Sequence, residues 1–232
     1  MLTLIQFPRA LGVMNASPFC MKVEVFLKLA GLAYQVDDRQ LPMRLPKGKL
    51  PALRDGNTLV CDSQAILEHL QQRFRDPLPP ALREPERGAD LALRRMFEEH
   101  LYFAALWSRW IDDAAFSLVV PSLFGHLPRL LRGPVAALVR RKMRRDLIGQ
   151  GMGRHSPAEI AARACADLDA AQAMLGERPY FGGAAPAALD ASVYAFLANT
   201  LFVEIDNPVR RHLQGQAPLV AYCARMEALV GR

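Results

Sequence analysis

The order of strand and helix signals in residues 1–75 limits the fold more than any other feature of this 232-residue sequence. Leu2 to Phe7 is a short apolar run that a proline ends, which predicts a strand. From Pro18 to Ala30 apolar residues recur at helical spacing on two sides and leave a narrow polar stripe with Glu24 and Lys28. A helix that is apolar on two faces should lie buried between two structural layers.

The strand signals continue after this helix. Ala33 to Asp37 predicts a second strand, and Leu50 to Arg54 predicts a third that is entered through a proline. Asp55-Gly56-Asn57 predicts a tight turn, after which Thr58 to Cys61 pairs back as a hairpin. A second helix begins at Asp62. The order β-α-β followed by β-β-α is that of an α/β thioredoxin-like domain.

The composition changes abruptly between Asp76 and Pro85, where four prolines predict a stiff linker and not a structural element. Beyond it the sequence has no convincing strand signal. We therefore expect a thioredoxin-like domain at 1–75, a proline-rich linker at 76–86 and an all-helical C-terminal domain at 87–232.

The helical signals of the second domain are distinct from one another. We expect one long aromatic-rich helical pattern, a helix that begins with a capping box, an almost wholly apolar core helix and two short helices that begin with prolines. In that order they lie at Arg87 to Phe116, Ser156 to Leu175, Leu189 to Val203, Pro208 and Pro218.

Composition excludes several classes of protein. The N-terminus lacks the features of a signal peptide, and the likeliest membrane-spanning run, residues 116–124, is short and broken by Pro121. These observations predict a cytoplasmic protein. The four cysteines are scattered and should be thiols, and neither they nor the five histidines have metal-ligand spacing, so no metal is expected.

The first candidate for chemistry is Ser17-Pro18-Phe19-Cys20, which lies where the first strand hands over to the first helix. Backbone N–H groups and the positive end of the helix there would stabilise a thiolate that faces Ser17. The alternative is that Ser17 and Pro18 simply form a good helix start. For Cys20, a partly buried thiol and a redox role are both open.

Two further segments could bind parts of the same ligand. If Pro51 is cis, the N–H and C=O of Leu50 face the site and could pair with an extended peptide, whereas a trans proline would be merely structural. At the next helix start, Ser63 with free N–H groups could hold a carboxylate and Asp62 an ammonium group, or both could only cap the helix. Together with Ser17, these segments match the thiol, peptide backbone and amino-acid head of glutathione.

The sequence resembles the glutathione transferase superfamily over nearly its whole length. The N-terminal likeness is carried by Pro-Lys-Gly-Lys-Leu-Pro-Ala-Leu at 46–53, followed by Asp-Gly and Asp-Ser. It is most similar to the bacterial relatives of failed-axon-connections and metaxin-like proteins. The motifs that carry this likeness are Ser-Pro-Phe-Cys-Met-Lys-Val-Glu, Glu-Glu-His-Leu-Tyr at 98–102, Ser-Arg-Trp at 108–110, Gly-Arg-His-Ser-Pro at 153–157, Pro-Tyr-Phe-Gly-Gly at 179–183 and Leu-Asp-Ala at 189–191.

The resemblance implies a detoxifying transferase that uses glutathione as co-substrate and attacks a hydrophobic electrophile. It implies that Lys49 reaches the glycine carboxylate of glutathione, beside Leu50, Pro51, Asp62 and Ser63. It also implies a homodimer, and an electrophile site against the helical domain, although core packing is an equal alternative for the aromatic residues. The residues assigned to that site are Phe19, Tyr102, Phe103, Leu106 and Trp110.

Two positions depart from related patterns. Ser17 replaces the first cysteine of the Cys-Pro-Phe-Cys motif of glutaredoxins, which removes mixed-disulfide exchange at that position and matches serine-type transferases. Ala187 stands where the helix of Leu189 and Asp190 usually has a capping Ser or Thr, a loss of about 1 kcal/mol if nothing replaces the cap.

The formal net charge of +6 is concentrated in one segment, since Arg129 to Arg145 contains seven basic residues and no acidic one. A peripheral surface for anionic membranes or nucleic acid is one interpretation, but no aromatic residues interleave with the arginines, so nucleic acid is not favoured. We prefer the interpretation of this segment as a solvated helical arm over a membrane-binding or nucleic-acid-binding surface. That the segment covers the substrate cleft is an equally open interpretation.

Three functional hypotheses follow. The leading one is an enzyme that conjugates or transfers glutathione, with Ser17 stabilising the thiolate. The second is a binding or scaffold protein that keeps the fold without catalysis. The third is a glutathione-dependent redox enzyme whose working thiol is Cys20.

Overall fold

The computed structural model describes residues 1–75, 78–84 and 86–231. A four-stranded mixed sheet with the order β2-β1-β3-β4 lies in the N-terminal part. β1 pairs in parallel with β2, and the β1–β3 and β3–β4 pairs are antiparallel. The strands are β1 (Leu2–Ile5), β2 (Tyr34–Asp37), β3 (Ala52–Asp55) and β4 (Thr58–Cys61).

Helices accompany the sheet and make up most of the chain that follows. The helices α1 (Pro18–Leu29) and α2 (Ser63–Arg73) complete the β-α-β, β-β-α order, which confirms the predicted thioredoxin-like arrangement. The later helices are α3 (Pro80–Arg83), α4 (Gly88–Arg95), α5 (Tyr102–Trp110), α6 (Asp113–Phe124), α7 (Arg129–Gln150), α8 (Pro157–Leu175), α9 (Ala188–Leu201), α10 (Pro208–Gly215) and α11 (Ala217–Val230), with a π-helical segment at Met96–Leu101 and 3-10 turns at Pro42–Arg44 and Met152–Arg154. This confirms the predicted combination of a thioredoxin-like sheet domain and a helical C-terminal region.

Helix α1 lies at the centre of the molecule, as its two apolar faces predict. Its side chains join the main hydrophobic core, which also contains residues of α8, α9 and α11. The polar stripe expected on α1, however, is not a solvent-facing one. Glu24 is buried and accepts hydrogen bonds from Gln6 Nε2 at 2.6 Å and from the Tyr34 hydroxyl at 3.1 Å, while Lys28 Nζ donates to the Val230 carbonyl at 2.7 Å.

The predicted linker at 76–86 falls partly on Asp76, Pro77 and Pro85, which lie outside the described residues. Where the structure describes this stretch, Pro80–Arg83 forms the short helix α3, and Leu82 is buried at 1% exposure. The expectation of no structural element is therefore wrong for these four residues, because Pro80 can occupy the first position of a helix.

The long helical pattern predicted from Arg87 to Phe116 is interrupted in the structure. α5 ends at Trp110, and Asp112 begins α6 by accepting the N–H of Ala115 at 2.8 Å. α6 continues through Pro121, the residue that interrupts the apolar run 116–124. Pro121 and Ser117 are both exposed, so water can hydrate the Ser117 carbonyl that a proline nitrogen leaves without a donor. Among the described residues, no helix has the length and apolar composition needed to cross a membrane.

The missing cap at Ala187 is replaced from within α9. The carboxylate of Asp190 is fully buried and accepts the N–H groups of Ala187 at 2.8 Å, Phe181 at 2.8 Å and Gly182 at 2.9 Å. Burial raises the pKa of Asp190, while these N–H groups act in the opposite direction. The carboxylate thus accepts hydrogen bonds from backbone N–H groups both at the start of α9 and in the turn that precedes it.

Candidate functional site

Sheet register brings the three candidate segments to one end of the sheet. Ile5, the last residue of β1, pairs with Ala52, the first of β3, and Ala52 pairs with Cys61, the last of β4. The chain before Ala52 contains Leu50-Pro51, and the chain after Cys61 contains Asp62-Ser63. Cys20 and Leu50 belong to the same small apolar cluster as Ile5 and Ala52, so the start of α1 lies at this end as well.

Ser17 is the N-cap of α1, as its position before Pro18 predicts. Its hydroxyl accepts the Cys20 N–H at 3.4 Å, and its own N–H donates to Asn15 Oδ1 at 2.9 Å. Asn15 in turn donates from Nδ2 to the Phe7 carbonyl at 2.7 Å. This chain of hydrogen bonds holds the loop between β1 and α1, so the serine hydroxyl stands in a defined position at the positive end of the helix.

Cys20 lies one turn into the same helix and is fully buried, with 0% exposure. Burial raises the pKa of Cys20 to about 12, although hydrogen bonds from the Ser17 side chain and the Phe7 backbone act in the opposite direction. Thiol reactivity depends on the thiolate and on access to it. The structure therefore gives Cys20 the properties of an inert core thiol.

The Leu50–Pro51 peptide bond is cis. Among residues 1–75, 78–84 and 86–231, no hydrogen bond uses the backbone N–H or C=O of Leu50, so both groups are free for an added peptide segment. Lys49 is exposed beside them and forms no ion pair with any described residue.

Asp62 is the N-cap of α2, and its Oδ1 accepts the N–H groups of Gln64 at 3.0 Å and Ala65 at 3.3 Å. Its backbone has φ 94 and ψ 132, a conformation that a residue with a Cβ seldom adopts. Such strain costs about 1–3 kcal/mol and tends to occur at functional sites. Ser63 follows with only 5% exposure, at the N-terminal end of the helix.

A buried ionic chain, which sequence reasoning missed, lies behind this helix start. Lys22 of α1 has no exposed surface and donates from Nζ to Gln64 Oε1 at 2.8 Å and to Glu98 Oε1 at 2.7 Å. Glu98 also pairs with Arg94 at 3.0 Å, and Arg94 pairs with Glu86 at 2.6 Å. Since Gln64 is the second residue of α2, the chain links the Asp62 region to the helices of the C-terminal part.

Two adjoining grooves separate α5 from α9. The front groove is a narrow cleft lined by Pro18 next to Ser17, by Tyr102 and Leu106 of α5, and by Phe196 of α9. The rear groove is equally narrow and extends from there to Val203 and Ile205. Tyr102 and Leu106, two of the residues predicted to contact an electrophile, therefore line a groove that begins beside Ser17.

The other aromatic residues predicted for that site lie elsewhere. Phe19 and Phe103 contact the Tyr102 ring edge to face, with ring centroids 5.0 and 5.1 Å away, and do not line either groove. Trp110 is 9% exposed and packs in a separate cluster against Phe116 and Phe124. For these three side chains the structure shows core packing, the alternative that the sequence left open.

Arg109 lines both grooves; it was recognised from sequence as part of the Ser-Arg-Trp motif, but no role in the site was assigned to it. Its guanidinium donates from Nη1 to the Ala16 carbonyl at 2.5 Å, and from Nη2 to Asn199 Oδ1 at 3.1 Å and the Asn199 carbonyl at 3.5 Å. Ala16 immediately precedes Ser17, so Arg109 also fixes the start of α1. Its acceptors lie 90 or more positions away in the chain, which is why a local pattern could not identify them.

Comparison with known proteins now identifies the class. Residues 18–115 match the family model of the glutathione S-transferase N-terminal domain, and residues 164–226 match the C-terminal domain model. The isoprene-epoxide–glutathione S-transferase of Rhodococcus sp. (strain AD45) is 32% identical over 204 residues, which cover 85% of each chain. The chain therefore belongs to the glutathione transferase superfamily.

Further relatives confirm the predicted branch. Failed axon connections of Drosophila melanogaster is 27% identical over 97% of this chain, which spans 56% of that protein's length. Human metaxin-2 is 24% identical, and the alignment covers 88% of this chain and 79% of metaxin-2. The glutathione transferase GSTFuA3 of Phanerochaete chrysosporium has the same fold, with a TM-score of 0.71 at 17% identity over 98% of this chain and 96% of its own.

Proposed function

We propose that this protein is an enzyme that conjugates glutathione with an electrophilic small molecule in the front groove, and that Ser17 stabilises the glutathione thiolate. The observation that supports this most directly is the position of the Ser17 hydroxyl. It caps the N-terminus of α1 and stands next to Pro18, which lines the groove. A hydroxyl donor and a helix N-terminus together favour negative charge on a sulfur placed between them.

In the proposed reaction the glutathione thiol loses its proton to solvent as it binds. The thiolate sulfur then attacks the electrophilic carbon, forming a C–S bond while the bond from that carbon to its leaving atom breaks. The leaving atom keeps the bonding electron pair. Ser17 contributes by stabilising the thiolate before attack, and the apolar groove contributes by positioning the electrophile and excluding water.

Glutathione would bind along the end of the sheet. Its cysteinyl backbone would pair with the free N–H and C=O of Leu50, which Pro51 holds in place, while exposed Lys49 would pair with its glycine carboxylate. The γ-glutamyl ammonium group would contact the carboxylate of Asp62, and its carboxylate the Ser63 hydroxyl and the N-terminus of α2. The capping bonds of Asp62 use Oδ1, which leaves Oδ2 for the ligand.

The rival hypotheses predict different behaviour. A redox enzyme would need a reactive Cys20, whereas burial keeps that thiol protonated, so we do not assign it a working role. A scaffold protein would have no need for glutathione. The Rhodococcus relative is named for an epoxide substrate, and an epoxide is accordingly one electrophile class to assay here. We further propose that the protein works as a cytoplasmic homodimer with a role in detoxification.

Calorimetric titration with reduced glutathione tests this proposal first. We expect binding at millimolar ligand or below, and its absence would leave the scaffold hypothesis. Ser17→Ala should then lower the conjugation rate about 100-fold or more while leaving glutathione affinity nearly unchanged.

Two control variants separate chemistry from stability. Ser17→Thr keeps both the hydroxyl and the cap, so it should retain most of the activity. Ser156→Ala removes the capping hydroxyl of α8, which accepts the Glu159 N–H at 3.3 Å, and no residue of α8 lines either groove. It should cost stability without lowering the rate. An equal loss of activity in Ser156→Ala and Ser17→Ala would assign the effect to folding.

A further inference from the structure

The guanidinium of Arg109 carries a positive charge that no described residue neutralises. It forms no ion pair within residues 1–75, 78–84 and 86–231, and its three acceptors are two carbonyl oxygens and one amide oxygen. Burial lowers the pKa of Arg109 to about 10, with the nearby Tyr102 acting in the opposite direction. A cation that is partly removed from water without a counter-ion is unfavourable, and a bound anion would relieve it.

Hydrogen-bond donors in the groove walls are nearly all consumed by the protein itself. The Ser108 hydroxyl donates to the Ala104 carbonyl at 3.1 Å, and the Thr200 hydroxyl to the Phe196 carbonyl at 3.0 Å. The Asn199 amide is occupied by the carbonyls of Asn15 and Ala195, at 3.0 and 3.1 Å, with Met21 Sδ close by. A ligand therefore finds few neutral donors in these walls.

Arg109 retains donors for such a ligand. A guanidinium has five N–H groups, and the contacts with Ala16 and Asn199 use three of them. The remaining N–H groups are on Nε and Nη1. These two N–H groups lie on different edges of the guanidinium, so a carboxylate oxygen can take one charge-assisted hydrogen bond from either of them, which is stronger than a neutral hydrogen bond.

The Tyr102 hydroxyl is a second donor in the front groove. No hydrogen bond among the described residues uses it, although the ring is held by edge contacts with Phe19 and Phe196 at 5.0 and 6.3 Å. Burial raises the pKa of Tyr102, so the hydroxyl keeps its proton at neutral pH and can donate. Tyr102 and Arg109 line the same groove and interact electrostatically.

We propose that Arg109 and Tyr102 form a carboxylate-binding subsite in the front groove, so that the favoured electrophiles are small aromatic or aliphatic acids. The inference rests on the proposed function, because it names the substrate class of the same site. The apolar body of the substrate would lie against Leu101, Leu106 and Phe196, with its carboxylate on Arg109 and its reactive carbon toward Ser17.

Binding of an unreactive acid tests the subsite without any turnover. The probes are 3-nitrobenzoate and the isosteric neutral 3-nitrobenzamide, titrated calorimetrically into the protein in the absence of glutathione. The wild type should bind the acid about 10-fold more tightly than the amide, as expected for a charged hydrogen-bonded pair. Equal affinity for the two probes would overturn the proposal.

Variants locate the preference. Arg109→Gln should abolish it, and Tyr102→Phe, which keeps the ring packing, should reduce acid affinity about 10-fold. The control Arg225→Gln removes an arginine whose hydrogen bonds within the described part of the chain both go to the Pro179 carbonyl, and it should leave the preference for the acid unchanged. If Arg109→Gln fails to fold, Arg109→Lys retains the charge and should keep part of the preference for the acid over the amide. In that case Tyr102→Phe decides whether the subsite exists. An unchanged preference for the acid in Arg109→Gln would overturn the subsite. If that variant does not fold, an unchanged preference in Tyr102→Phe would overturn it.

Turnover separates this inference from the proposed function. With glutathione and 4-chloro-3-nitrobenzoate, the thiolate attacks the chlorine-bearing carbon, a C–S bond forms, and chloride leaves with the electron pair. Because Arg109 also holds the start of α1, its loss can affect both substrates, so the test is their ratio: Arg109→Gln should raise KM for the acid about 10-fold relative to KM for the matching amide. If neither compound is converted while the acid preference in binding persists, the proposed function fails and the subsite stands. If Arg109→Gln slows both substrates equally by raising the pH at which the thiol ionises, Arg109 acts on the thiolate and the carboxylate assignment fails.

Discussion

Asp190 offers the sharpest test of how this chain holds its helical region together. Its carboxylate is fully buried and accepts three backbone N–H groups, from Phe181, Gly182 and Ala187, at 2.8 to 2.9 Å. A hydrogen bond to a charged group contributes about 1.5–3 kcal/mol, so three such bonds set an upper limit of several kcal/mol. In Asp190→Ala the N–H groups of Gly182 and Ala187 can reach water, since both residues are only partly buried. The Phe181 N–H cannot, because that residue is 1% exposed.

We therefore expect Asp190→Ala to lower the free energy of unfolding by about 3–5 kcal/mol, a large part of the stability of an ordinary domain. For a chain of this length the melting temperature should fall by about 6–20 °C. Urea and thermal unfolding followed by far-ultraviolet circular dichroism measure both quantities. The control is Asp206→Ala, which removes an exposed carboxylate paired with Arg211 and should cost less than about 1 kcal/mol. If the two variants lost the same small amount, the argument that Asp190 replaces the missing cap would be refuted.

Three further changes test the site and its support. Lys22→Met should lower the free energy of unfolding in urea by about 3–5 kcal/mol, because Glu98 stays buried without this partner. The double variant with Glu98→Gln should recover part of that loss, and an equal loss in both variants would contradict the pairing argument. An aromatic disulfide reagent at pH 8 should label half-exposed Cys61 in the native protein and reach Cys20 only on unfolding, since burial raises the pKa of Cys20 to about 12; rapid native labelling of Cys20 would revive the redox hypothesis. Asp62→Asn keeps an oxygen to cap α2 but removes the charge, so calorimetry should show about 10-fold weaker glutathione binding with stability nearly unchanged, and unaltered affinity would remove Asp62 from the proposed site.

The N-terminal site was accessible from sequence because its signals are local. Ser17 before Pro18 and Asp62 before Ser63 each predict a helix start, and in the structure Ser17 is the N-cap of α1 and Asp62 the N-cap of α2. What sequence reasoning could not supply was the strained backbone of Asp62, with φ 94, because nothing in an aspartate–serine pair specifies a positive φ. Strain of that kind is imposed by the surroundings of a residue.

The helical region was less readable. A continuous apolar pattern concealed the end of α5 at Trp110, because periodicity continues across a break that one aspartate cap creates. The aromatic residues of α5 were grouped as one site, whereas the structure divides them between a groove wall and two sets of core contacts. Periodicity identifies which side of a helix is apolar, but not which neighbour covers each part of it.

By itself, the sequence determined the order of strands and helices in the N-terminal domain, several helix starts and the family, since each depends on residues close together in the chain. Only the tertiary structure decided where the buried charges lie. Lys22 meets Glu98 across 76 positions, and Arg109 meets the carbonyl before Ser17 across 93. A charged side chain in a helical pattern is ordinarily assigned to the solvent face, and only the packing of distant segments around it can make it a buried partner or a cation facing a groove.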